Sequence, residues 1–242
     1  MNIILLSGGS GKRLWPLSND IRSKQFVKIF QNDRGEYESM VQRVYRQIKQ
    51  IDPDATVTIA TSKKQVSTIH HQLGDKVSVC VEPARRDTFP AIALAAAYLC
   101  SEKQVDEKEC VLVMPVDPYV DEGYFRSLAE LFKLAQSGSY RLNLMGVEPT
   151  YPSEKYGYII PKTKDHVSEV ASFKEKPDAK TAADYIRQGA LWNCGVFAFQ
   201  LGYLLTIAHQ YLPFESYRDI YENYDKLEKI SFDYAVVEKE SS

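Results

Sequence analysis

Four short apolar runs, NIILLS, TVTIAT, KVSVCVE and CVLVMPVD, recur between residues 2 and 117, and each has the length and composition of a buried parallel strand. Helical patterns separate them. Met40, Val41, Val44, Tyr45 and Ile48 form an apolar stripe at helical spacing, PAIALAAAYLC is alanine-rich, and YFRSLAELFKLAQ repeats the stripe. This alternation predicts an α/β fold with a doubly wound sheet. In such sheets ligands bind beyond the carboxyl ends of the strands. After about residue 147 the rhythm changes: YGYII, VSEVASFKEK and LWNCGVFAFQ read as strands with one helix, AKTAADYIRQG, among them. That stretch is expected to extend the sheet in mixed sense and to cover the crevice. No repeat or Gly/Ser linker marks a boundary, so residues 1–242 are expected to fold as one unit.

The first strand runs into LLSGGSGKRLWPLS, residues 5–18. A P-loop would need a glycine where Leu6 stands and a hydroxyl where Arg13 stands, and a dinucleotide fingerprint begun at Gly9 meets Leu14 instead of its third glycine. Consecutive glycines still let backbone N–H groups face an anion, with Lys12 and Arg13 adding charge. A tight strand-to-helix connection with a solvated basic pair is the alternative.

Further segments carry reactive side chains. RSKQFVKIF supplies Lys24 and Lys28, either of which suits a phosphate or plain solvent. EPARRDTFPAIALAAA sets Glu82, Arg85, Arg86, Asp87 and Thr88 before an alanine-rich helix, where Thr88 is the expected N-cap and Pro90 fits the first turn. Asp117 follows an apolar strand, where it would hold magnesium or shape an Asp-Pro turn. Glu175 and Lys176 precede a turn-fixing proline, as site residues or a surface ion pair. Asn193, between Trp192 and Cys194, offers amide donors and acceptors to sugar hydroxyls or serves a turn.

Composition excludes several classes. Thirty Lys and Arg against 32 Asp and Glu leave a net charge of −2, without the footprint of a nucleic-acid or anionic-membrane binder. Four cysteines lack C-x-x-C or metal-ligand spacing, so reduced thiols are expected and zinc is not. MNIILL is too short for a signal sequence or a membrane span. A cytoplasmic location is the expectation.

Taken in order, the glycine loop with its arginine, SKQF, EPARRDTFPAIALAA, PVDPYV, GVEPTYPSEKYGYI, FKEKPD, WNCGVFAF and SFDYAVVEK resemble the bacterial mannose-1-phosphate guanylyltransferases from Asn2 to Lys239. The resemblance implies a Rossmann-like nucleotidyltransferase fold with a mixed, mostly parallel central sheet flanked by helices. It implies one catalytic domain over 1–242, with a nucleotide-binding core at 1–147 and a sugar-phosphate-binding part at 148–242. The implied reaction joins GTP to mannose 1-phosphate, gives GDP-mannose and pyrophosphate, and uses Mg2+.

Matched position by position, the resemblance implies that Gly8, Gly9, Ser10 and Gly11 wrap the nucleotide, with Arg13 and Lys24 as catalytic cations on its phosphates. Glu82 and Arg86 would meet the guanine side and Asp117 would bind magnesium. Gly157, Glu175 and Asn193 would meet the sugar, and Lys176 its phosphate. The implied partners are the two substrates, with no nucleic acid or membrane; a homodimer is compatible with the family. No Ser-His-Asp or Cys-His arrangement suggests a covalent route.

Departures from the family pattern are Ser23 for proline, Asp87 for asparagine, Phe89 for a small residue, Pro118 for histidine and Cys194 for serine. Asp87 and Phe89 leave the base and the hexose open. The family's WSDVGSW segment, whose Asp is its second magnesium ligand, has no counterpart here, which implies a chain without the family's C-terminal region. Asp233 is expected near a helix N-cap instead of at the metal. A catalytically silent nucleotide-sugar binding module is the competing expectation.

Overall fold

The computed structural model describes residues 1–8 and 23–240. The strands are β1 (Asn2–Leu6), β2 (Phe30–Gln31), β3 (Tyr37–Glu38), β4 (Thr56–Ser62), β5 (Ser78–Glu82), β6 (Cys110–Pro115), β7 (Leu142–Val147), β8 (Tyr158–Pro161), β9 (Val170–Lys174) and β10 (Leu191–Gln200). The helices are α1 (Met40–Ile51), α2 (Val66–Leu73), α3 (Thr88–Ser101), α4 (Glu122–Gln136), α5 (Ala179–Arg187), α6 (Leu201–Tyr211), α7 (Tyr217–Glu222) and the short α8 (Glu238–Glu240).

Among the described residues, eight strands form one sheet in the order β5-β4-β1-β6-β10-β8-β9, with β7 also paired to β10, while β2 and β3 form a separate hairpin. β1 lies parallel to β4 and β6, and β4 to β5. β10 is antiparallel to β6, β7 and β8, and β9 to β8. Six of the eight strands therefore point one way, and only β9 and β10 oppose them. The expected mixed, mostly parallel sheet is thus the one observed.

Alternation along the central strands separates two cores, because successive side chains leave opposite faces of a sheet. Ile4, Ala60 and Val113 pack with the alanines of α3 and with Leu201, Leu204 and Leu205 of α6. Ile3, Leu5, Ile59 and Leu112 face Val41, Val44 and Ile48 of α1 and Phe125 and Leu128 of α4. α3 is alanine-rich because it is enclosed, with Ile92 through Ala96 fully buried. α1 starts in a capping box, where Ser39 accepts from Gln42 N and the Gln42 side chain accepts from Ser39 N.

The N-cap of α3 corrects the sequence expectation. Asp87, not Thr88, is the cap: its backbone takes a φ of 75°, and its carboxylate accepts from Thr88 N at 2.8 Å. Thr88 is the first helical residue, and its hydroxyl accepts from Phe232 N at 2.8 Å instead. Phe89 is fully buried with its ring centroid 4.5 Å from that of Tyr211, so this departure belongs to the core.

Residues 224–233 form a strap across the carboxyl ends of the strands. Tyr224 reaches Glu82, Leu227 O accepts from Arg86, and Ile230 O accepts from Phe89 N. Phe232 then packs on Phe197 and Phe199, and a π-helical turn, Asp233–Val237, leads into α8. Among the described residues no helix is long and apolar enough to cross a membrane, and all four cysteines are free.

Candidate functional site

Because β5, β4, β1 and β6 are parallel, their carboxyl ends share one edge. Glu82 ends β5, Ser7 and Gly8 follow β1, and Asp117 follows β6, which brings three remote predicted residues to one crevice. Gly9, Ser10, Gly11 and Arg13 lie outside the described residues. Gly8 lies directly beside Glu82, where an added Cβ would stand 3.6 Å from the carboxylate Oε1.

A buried polar network joins Ser7, just after β1, to Ser23. Gln25 Nε2 donates to Ser7 O at 3.2 Å and to Ser7 Oγ at 3.1 Å; Gln65 Nε2 donates to Ser23 Oγ at 2.8 Å. Ser7 and Thr61 hydroxyls both donate to Gln65 Oε1, at 3.2 and 2.7 Å. Ser23, where the family pattern has proline, is a member of this network. Buried polar groups so paired hold one geometry, since leaving one unpaired is costly.

On the β5 side, Tyr224 donates its hydroxyl to Glu82 Oε2 at 3.1 Å. Burial raises the Glu82 carboxyl above its ordinary range, although the Tyr224 hydrogen bond and Arg85 pull it back. Arg86 donates through Nη1 to Leu227 O at 3.0 Å, while its buried Nε has no partner among the described residues. Both predicted residues therefore stand against the strap.

On the β6 side, Lys24 forms an ion pair with Asp117, and both side chains keep access to solvent. Lys28 is exposed and makes no ion pair among the described residues. Tyr124 of α4 has a buried hydroxyl with no partner among the described residues, and its ionisation is opposed first by burial and then by Cys194 and Asp117. The Cys194 thiol donates to Met145 O at 2.9 Å, and burial pushes it up to about 12, so it is held as a thiol and not as a nucleophile.

Among the described residues, no three or more His, Cys, Asp or Glu side chains gather to hold a metal ion. Asp117 alone fits magnesium that takes one carboxylate, waters and substrate phosphates, the usual pattern where phosphates bind.

The sugar-side residues come together where β8, β9 and β10 meet. Asn193 N donates to Gly157 O at 2.8 Å, and Lys176 N donates to Tyr156 O at 3.2 Å. A Cβ on Gly157 would fall 2.5 Å from Glu175 Oε2 and 2.7 Å from Phe173 Cζ, so only glycine fits. Glu175 has a side chain 6% exposed and pairs with Lys176 at 2.5 Å. The pair is buried at its Glu175 end and open to solvent at Lys176. Lys176 takes a φ of 45° immediately before Pro177, backbone strain of the kind that collects at binding sites. The hydrogen bond to Glu175 holds its ammonium above the ordinary lysine range, with the charges of Glu175, Tyr234 and Asp233 adding to it.

One residue of this cluster escaped the sequence reading. Asp233 does begin a helical turn, but its carboxylate accepts from Asn193 Nδ2 at 2.5 Å and does not cap that turn. Burial, then the neighbouring charge of Glu175, pushes Asp233 up to about 6. The one available signal was its place in SFDYAVVEK, among the matched segments.

The family model described as nucleotidyl transferase matches residues 2–234. The chain belongs to the nucleotidyl transferase family. It is 35% identical over 231 residues to the alginate biosynthesis protein AlgA of Pseudomonas fluorescens, covering 90% of this chain and 44% of that protein. With a mannose-1-phosphate guanylyltransferase of Escherichia coli the identity is 31% over 264 residues, covering 98% of this chain and 55% of the other. A crystal structure from Thermus thermophilus, described as a mannose-1-phosphate geranyltransferase, superposes with a TM-score of 0.80 at 30% identity, covering 98% of this chain and 70% of that one. The chain spans about half the length of the two curated relatives. As a nucleotidyl transferase it carries the Rossmann-like fold of its structural neighbours, with Glu82 and Asp117 at the carboxyl ends of the parallel strands β5 and β6.

Proposed function

We propose that this nucleotidyl transferase chain moves GMP from GTP to α-D-mannose 1-phosphate, giving GDP-mannose and pyrophosphate. The observation that carries the reading is the pairing of a buried Glu175 with Lys176 beside Gly157 and Asn193, at the same sheet edge as Lys24, Asp117 and Glu82. Lys176 receives the sugar phosphate, and Asn193 and Glu175 orient the sugar hydroxyls. Arg13 and Lys24 neutralise the triphosphate, Gly8 through Gly11 wrap it, and Glu82 and Arg86 face the base.

The sugar phosphate oxygen attacks the α-phosphorus in line and pyrophosphate leaves. Such transfer asks for positioning and cations more than for a covalent intermediate. Asp117 would hold Mg2+, which when bound spreads charge from the phosphate oxygens.

The test is pyrophosphate release from a panel of nucleoside triphosphates crossed with a panel of hexose 1-phosphates, with magnesium. GTP with mannose 1-phosphate is the expected productive pair. A different productive pair would reassign the substrates, and binding of both without pyrophosphate release would make the chain a binding module.

A further inference from the structure

The sugar side holds two acids and one base. Glu175 and Lys176 are paired at 2.5 Å, and Asp233, half-buried, stands near both while accepting from Asn193 at 2.5 Å. Tyr234 presents its ring 5.8 Å from the Lys176 ammonium. The remaining charged neighbours are already engaged: Glu238 accepts from the Glu175 backbone amide at 3.1 Å and pairs with Lys174 at 3.3 Å. Among the described residues, Lys176 is therefore the cation that serves the Glu175–Asp233 pair.

A phosphate competes for that cation. Glu175 cannot follow Lys176 outward, because its side chain lies against Gly157 at a spacing that would not admit a methyl group. Once Lys176 turns to an anion, two neighbouring carboxylates remain with no cation among the described residues and little solvent, and like charges sharing such a site are relieved by one proton. Asp233 is the acid for it, since burial and Glu175 already bring it to about 6 while Asn193 supplies only one hydrogen bond to its charged form.

We propose that Asp233 is a further positioning residue of the sugar-phosphate site, taking a proton from solvent when the phosphate of a hexose 1-phosphate draws Lys176 from Glu175. The proton offsets the charge the ligand brings and leaves the Asn193 amide anchored. This inference rests on the sugar-phosphate reading above.

The test is calorimetric titration of the full chain with mannose 1-phosphate near pH 7 in buffers of different ionisation enthalpy, comparing wild type with Asp233→Asn. The ligand's own second phosphate ionisation, near pH 6, contributes equally to both. Wild type is expected to take up on the order of one proton more per ligand than the variant, and its affinity relative to the variant should rise up to about tenfold per unit as pH falls from 8 to 6. If Asp233→Asn does not fold, Glu175→Gln removes the like charge in nearly the same shape, with the same loss of uptake expected. Equal proton uptake in wild type and variant overturns the inference alone. Absence of binding by any hexose 1-phosphate overturns the functional reading and the inference together.

Discussion

Asn193 Nδ2 donates to Asp233 Oδ1 at 2.5 Å while Asn193 Oδ1 accepts from Gly195 N at 3.1 Å, so both ends of the amide are committed. Gly195 sits at a φ of 71° within the irregular stretch of β10, between Asn193 and Phe197, where its register with β7 shifts. The bulge thus aims the asparagine, and Asp233 decides which way its amide points. One Nδ2 proton is left for a ligand.

That arrangement has a stability cost at neutral pH. Asp233 moves from an ordinary 3.8 to about 6 on folding, so the folded chain binds more protons between those values, and this residue's contribution to stability falls as pH rises through 6. Asp233→Asn is expected to raise the melting temperature at pH 7.5 but hardly at pH 4, with a gain of at most about 3 kcal/mol from two pK units. Scanning calorimetry at the two pH values reads the difference; a gain as large at pH 4 would contradict it.

Lys176→Ala should weaken mannose 1-phosphate by about 10- to 150-fold, the loss of a charge-assisted contact worth roughly 1.5–3 kcal/mol, and leave GTP nearly unaffected. Separate titrations with each ligand check this. Equal losses would move Lys176 to the triphosphate.

Gly157→Ala places a methyl group against Glu175 and Phe173 at distances that force these side chains to shift. Overpacking of this kind costs about 1–3 kcal/mol. Urea unfolding should show the loss, and product formation should fall further than stability because Glu175 and Asn193 are displaced together.

Tyr224→Phe leaves the half-buried Glu82 carboxylate without its hydroxyl donor. The expected cost is about 1–3 kcal/mol. Weaker GTP binding with unchanged mannose 1-phosphate binding would assign the strap to the nucleotide side, whereas the reverse pattern would detach Glu82 from the base.

Lys24→Met and Asp117→Asn separate the two partners of the ion pair at β6. Both should slow pyrophosphate release by about 10²–10³-fold, the usual scale for losing one electrostatic contact to a transition state. Only Asp117→Asn should also raise the magnesium concentration needed for half-maximal rate.

Seven of the sheet's eight strands were legible because each apolar run read as a strand matched one, a pattern that is local, whereas β7 was missed. Lys24, Glu82, Asp117 and the Gly157–Asn193 group were legible through matched segments. Asp233 was not, because its hydrogen-bond partner Asn193 lies forty residues away on a different element. Thr88 was misassigned as a cap for a similar reason: a partner in the strap claims its hydroxyl, and only the tertiary structure shows that Asp87 adopts a left-handed backbone. Gln25 and Gln65 carried no signal in the sequence, because their partners Ser7, Ser23 and Thr61 are brought to them only by the fold.

β10 holds three neighbours at once, β6, β7 and β8, although β7 and β8 are made before it. On a ribosome adding 5–20 residues per second, the interval between Val147 and Leu191 lasts roughly 2–9 seconds, during which β6 and β7 each present a bare edge. The growing chain is then open to pairing with a neighbour's unfinished sheet. Residues 191–200 close that window, and with it they deliver Asn193 to the site. A slow codon run just before Leu191 would therefore lower the yield of folded protein without altering a single side chain.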